Sequence, residues 1–129
     1  MLDPKKLLNS VNVLLKSGTE EDFRRAISTA YYALFHKTII DACNILVGPE
    51  NTTTSGYSIL YRSFEHGSIK KMALNISNGT QSYLQKYKYL SFDANLVDWG
   101  SSFVTLQSAR EEADYNPIKT HTASDVLSI

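Results

Sequence analysis

The chain has 129 residues, with 13 basic and 13 acidic side chains, no net charge, 43% apolar and 20% charged residues. That is a globular balance: it excludes a disordered tail, a collagen and a coiled-coil rod, and it argues against a wholly basic nucleic-acid binder. The single cysteine, Cys43, excludes an internal disulfide framework, no run of about 18 apolar residues offers a membrane span, and the opening MLDPKKLLNS lacks the apolar stretch of a signal peptide, so the expectation is one cytoplasmic domain over residues 1–129.

Asp3-Pro4 reads as an N-cap followed by proline in the first turn of a helix. Leu7, Leu8, Val11, Leu14 and Leu15 follow at helical spacing, and Gly18 stops the run. Thr19 caps a second helix, with Asp22 as a short-armed capping box, and the pattern carries it to about Val47, before Gly48-Pro49. From Ala30 onward this helix is apolar on most sides, as a central bundle helix would be. Residues 48–56 form a polar loop. A short helix over residues 57–66 is closed by Gly67, and residues 68–77 fit another turn or two. A turn at 77–80 and a short helix or ordered loop over 81–92 follow. The last long helix spans residues 93–115 and ends at Asn116-Pro117. A final helix starts near Ser124, with Asp125 in its first turn. The pattern predicts an all-α fold of four to five helices.

Charge is uneven along the chain. Residues 60–92 carry Arg62, Lys70, Lys71, Lys86 and Lys88 against Glu65, whereas residues 93–129 carry Arg110 and Lys119 against six acids. The middle suits an anion or a solvated patch neutralised by the acidic segment. Lys86-Tyr87-Lys88-Tyr89 interleaves charge with aromatic rings, a combination that can track a phosphate backbone and stack bases.

Two constellations carry chemistry. At 100° per residue, Arg25, Thr29, Tyr32 and His36 fall on one face of the second helix, a stripe that can bind a phosphate, line a dimer seam or simply edge the core. On the last long helix, Leu96, Trp99, Phe103, Leu106, Arg110 and Ala113 alternate three- and four-residue steps. Arg110 thus stands where the pattern reserves a hydrophobe. An unpaired buried charge is too costly, so it needs a partner: Asp114 one turn on, or a polar cleft. Tyr115 follows. Arg62 and His66 form an i,i+4 pair, with His66 expected as a cation at a helix C-terminus. His121 is expected to be a solvated loop histidine. The three histidines have no ligand spacing, so no metal and no cofactor is expected.

RRAISTAYYALFHKTIIDACNILVG (residues 24–48), YRSFEHG (61–67) and SAREEADYNP (108–117) together resemble the HEPN superfamily of small prokaryotic helical domains, in the same order. The resemblance implies an up-and-down helical bundle, a homodimer, and either a metal-independent ribonuclease of toxin–antitoxin and defence systems or a non-catalytic module that binds nucleotides, RNA or a nucleotidyltransferase antitoxin. The ribonuclease motif is an arginine, four to six residues, then a histidine. Arg110 matches the arginine, but the three allowed histidine positions hold Tyr115, Asn116 and Pro117. The expectation is therefore a degenerate binding module that holds an anion with Arg25, Tyr32, His36, Arg110 and Asp114. The alternatives are a ribonuclease using Arg110 with His36 or Tyr115, and a purely structural dimerisation domain.

Overall fold

The computed structural model of the chain describes residues 1–77 and 94–127. The turn at 77–80, the segment 81–92 and the basic–aromatic stripe at 86–89 lie wholly or largely outside them. The described residues are all-helical: α1 (Pro4–Lys16), α2 (Glu20–Leu46), a 3-10 turn (Pro49–Asn51), α3 (Ser55–Ser63), α4 (His66–Ser77), α5 (Ala94–Tyr115) and α6 (Ala123–Leu127). No helix among them is long and apolar enough to cross a membrane.

Local chemistry sets the helix ends. Asp3 accepts the Lys5 N–H at 3.0 Å, Thr19 that of Asp22 at 3.3 Å, and Thr54 that of Tyr57 at 3.3 Å. Thr122 and Asp125 cap each other reciprocally at 2.9 and 3.2 Å. Each such cap is worth about 1 kcal/mol. Gly18 turns the chain between α1 and α2 at φ 75°, a conformation other residues rarely adopt.

One boundary corrects the sequence expectation. The helix expected over 57–66 ends at Ser63, and Gly67 lies inside the next helix rather than closing the first. Phe64 takes an extended conformation, φ −75° and ψ 130°, and packs against the core, so the chain turns there and restarts at His66. His66 therefore sits at a helix start, not at a C-terminus.

α5 runs antiparallel to α2 and α4, between them. Against α2 it pairs Asp114 with Ser28, Arg110 with Tyr31 and Trp99 with Thr38. Against α4 it pairs Glu111 with Lys70 and Gly100 with Ala73 and Ser77. A Cβ on Gly100 would lie 2.8 Å from the Ala73 carbonyl oxygen, so only glycine permits this approach. Tyr31, Phe35, Ile39, Cys43, Tyr57, Ile69, Ala73 and Phe103 form the main core. A second cluster joins Val11, Ala26, Ile27, Ala113 and Val126. Of the expected seam on α5, Phe103 and Ala113 are buried while Leu96 is largely exposed. Gln107, off the seam, is buried because α5 is covered on two sides. On α2, Ile45 and Leu46 are exposed although the sequence there reads as apolar on most sides.

Candidate functional site

Helical periodicity gives α2 two adjacent polar stripes. Arg24, Ser28, Tyr31 and Phe35 recur at steps of four, three and four and meet α5 or the start of α4. Arg25, Thr29, Tyr32 and His36 lie one residue further round. The first stripe makes the hydrogen bonds and the ring contact with the end of α5, while from the second Tyr32 acts electrostatically on Arg110.

Arg24 is the structural member. Its Nε bonds Glu20 at 3.0 Å; Nη1 donates to the carbonyls of Ala113 at 2.8 Å and Asn116 at 2.7 Å; Nη2 donates to that of Lys119. It thereby satisfies backbone acceptors at the C-terminal end of α5 and in the loop beyond it, where a cation is favoured. Drawing that loop onto α2 also buries His121, which is 4% exposed with its Nδ1 3.8 Å from Glu20. His121 is thus a buried residue, contrary to the solvated one expected from the polar sequence around it.

Arg110 is held differently. Its side chain is only 12% exposed, and its ionic partner is Asp114, at 3.6 Å. The guanidinium lies 5.0 Å over the Tyr31 ring and 5.9 Å from that of Tyr115. Its Nε is buried and has no hydrogen-bond partner among the described residues. Tyr31 in turn is fully buried and its hydroxyl meets His66 Nδ1 at 2.5 Å. The His66 ring is stacked on Phe35, with centroids 3.8 Å apart. A second pair crosses beside the first: His36 Nδ1 meets the Tyr61 hydroxyl at 2.5 Å. The Tyr32 ring stands edge-on to His66 and tilted to His36.

Burial pushes the Tyr31 phenol up to about 12, against the opposing pull of Arg110. Burial, with Arg110 and His36 nearby, holds His66 below the ordinary imidazole range. Burial does the same to His36. At neutral pH Arg110 is therefore a fixed cation beside neutral His36 and His66 imidazoles and a protonated Tyr31 phenol.

Of the residues singled out in the sequence, Arg110, Asp114 and Tyr115 come together, and Tyr32 and His36 lie in the neighbouring aromatic–histidine cluster. Arg25 is exposed. His66 and Tyr31 were missed as site residues. The YRSFEHG segment was the available signal for His66, but its use required knowing that the chain breaks at Phe64. An open cleft of about 680 Å³ lies beside Arg24, lined by Glu20, Glu21, Arg24, Asp114, Tyr115 and Thr120 among others; it shares Asp114 and Tyr115 with the surroundings of Arg110, which is not itself in the lining. Among the described residues no group of three or more His, Cys, Asp or Glu side chains could hold a metal ion. Comparison with protein-family models, curated protein sequences and solved structures found no match to this chain.

Proposed function

We propose that the protein is a non-catalytic, HEPN-like up-and-down helical module of a toxin–antitoxin or defence system that binds a nucleotide phosphate at Arg110. One observation carries this function: among the described residues Arg110 is a largely buried guanidinium that meets one carboxylate at 3.6 Å and the Tyr115 side chain, and its buried Nε has no hydrogen-bond partner. Arginine offers five donors, and phosphate oxygens match its planar fork. Asp114 and Tyr115, which contact Arg110, also line an open cleft carrying Glu20 and Glu21, and these acids repel a long polyanion, which favours a single nucleotide or the end of an RNA over an extended strand. Tyr115, 74% exposed beside Arg110, supplies a face on which a base stacks.

The test is equilibrium titration with 5′-AMP and with short oligoribonucleotides bearing or lacking a terminal phosphate. Wild type binds AMP or the phosphorylated end, and Arg110→Ala loses that binding. Equal binding by both proteins refutes the proposal.

A second function, a metal-independent ribonuclease using Arg110 with Tyr115 or His36, is favoured by the Tyr115 ring lying against the guanidinium. A missing imidazole costs about 10²- to 10⁴-fold in proton transfer. RNA cleavage in EDTA that Arg110→Ala abolishes, with growth arrest on expression, would establish it. The same family likeness carries a homodimer. An apolar groove lined by Leu8, Val11, Leu34 and Leu106 supports this as a surface for a second copy. Light scattering at about 14.5 kDa at high micromolar concentration would count against it.

A further inference from the structure

We propose that His66, from the start of α4, is the second ligand-binding group of the Arg110 site, donating its Nε2–H to the phosphate that Arg110 neutralises, and that Tyr31 positions it. The inference rests on the phosphate-binding function proposed for Arg110.

The tautomer follows from hydrogen-bond accounting. The Tyr31 hydroxyl is buried, and its one hydrogen-bond partner among the described residues is His66 Nδ1. A buried hydroxyl proton without an acceptor costs about 1–3 kcal/mol. Tyr31 therefore donates to Nδ1, and the imidazole proton sits on Nε2. The orientation is fixed at two places. Phe35 stacks flat on the ring, 13° from parallel, and Tyr31 holds one nitrogen. Tyr31 is the common element: one face lies under the Arg110 guanidinium at 5.0 Å while its hydroxyl holds the imidazole. Arg110 and His66 are thus tied to one rigid, fully buried ring. His66 itself is half-buried, between that ring and the surface.

The charges facing His66 favour its neutral form until an anion arrives. Arg110 faces it from α5; Tyr31, Tyr32 and His36 face it from α2; Tyr61 of α3 acts only through His36; Glu111 of α5 acts on Tyr31. Glu65 is its exposed chain neighbour. Burial, Arg110 and His36 hold the imidazole below its ordinary range. The positive end of α4 acts in the same direction. A bound phosphate opposes that field, and the added proton enters at Nδ1, where the Tyr31 hydroxyl turns from donor to acceptor, so binding draws a proton onto His66 and strengthens as pH falls, by at most about tenfold per pH unit.

The experiment is calorimetric titration of the full chain with 5′-AMP between pH 8 and pH 6, in buffers of different ionisation heat. Wild type is compared with His66→Gln. Titration of the ligand itself is common to both proteins and cancels. Wild type should take up more protons on binding than His66→Gln, and the variant should bind roughly five- to tenfold more weakly. Equal affinity and equal proton uptake overturn the role of His66 while leaving that of Arg110 standing. Absence of binding by wild type refutes both. If His66→Gln does not fold, long-range ¹H–¹⁵N spectra of wild type and Tyr31→Phe give the decision. His66 should carry its proton on Nε2 in wild type, lose that preference in Tyr31→Phe, and shift on addition of AMP to wild type. A wild-type imidazole protonated on Nδ1, or unmoved by AMP, overturns the inference.

Discussion

Arg24 and Arg110 are two guanidiniums at the same end of α5, and they differ in what they hold. Arg24 reaches across from α2 and uses four of its five donors, on one carboxylate and three backbone carbonyls. Arg110 rises from α5 itself and, among the described residues, meets one carboxylate at 3.6 Å, two aromatic rings and no hydrogen-bond partner for its Nε. Their side-chain exposures are close, 19% and 12%, so burial does not separate them. Hydrogen-bond accounting does. A cation with four of its five donors bound maintains the fold, whereas one with most of its donors left over is available to a ligand.

The largest expected effect breaks the member that holds the fold. Arg24→Ala leaves the Ala113, Asn116 and Lys119 carbonyls without their donor and should cost about 2–4 kcal/mol, lowering Tm by roughly 10 °C in a calorimetric scan. An unchanged Tm would show that the clamp contributes nothing. Next comes Gly100→Ala, which drives a methyl group to 2.8 Å from the Ala73 carbonyl and should cost about 1–3 kcal/mol. Because it pushes apart the helices that carry His66 and Arg110, it should also alter the His66 imidazole resonances.

A smaller effect concerns pH. His36 and His66 have folded-state pKa values held below the ordinary imidazole value of about 6.5 by burial, with Arg110 and His36 adding to the effect at His66. Their contribution to stability is complete above that value and is lost as pH falls below it, because the unfolded chain then binds protons that the folded chain resists. Tm should decline from about pH 7 to pH 5, and a His36→Asn, His66→Gln double variant should flatten the decline. An equally steep fall in the double variant would assign the acid sensitivity elsewhere. The smallest effect on stability is expected at Arg110. Arg110→Leu restores an apolar residue to the seam of α5 and should leave Tm within about 3 °C of wild type, or above it.

The helices were legible in the sequence because their ends carry explicit chemistry: Asp3-Pro4, Thr19, Gly18 and Asn116-Pro117 each stand at or beside an observed boundary. The break at Phe64 was not legible, since no proline or left-handed glycine marks it and the cause is a long-range packing preference. Arg110 was legible because it violates the periodicity of its own helix. Its surroundings were only half so. The stripe of Arg25, Thr29, Tyr32 and His36 places Tyr32 where it acts electrostatically on Arg110, while the adjacent Arg24, Ser28 and Tyr31 make the hydrogen bonds and ring contact with α5. Neighbouring stripes differ by 100°, and only the docking of α5 decides which of them faces it. The burial of His121 also depends on a distant residue, because it follows from Arg24 gathering the carbonyls of the loop before it.

The central claim is that Arg110 is held for a ligand rather than for the fold, and one paired measurement tests it most directly: Tm and 5′-AMP affinity of Arg110→Leu, determined on the same preparation beside wild type. The account predicts an unchanged or raised Tm with loss of AMP binding. A lowered Tm with AMP binding intact would make Arg110 a structural partner of Asp114, as Arg24 is of its carbonyls, and would contradict it.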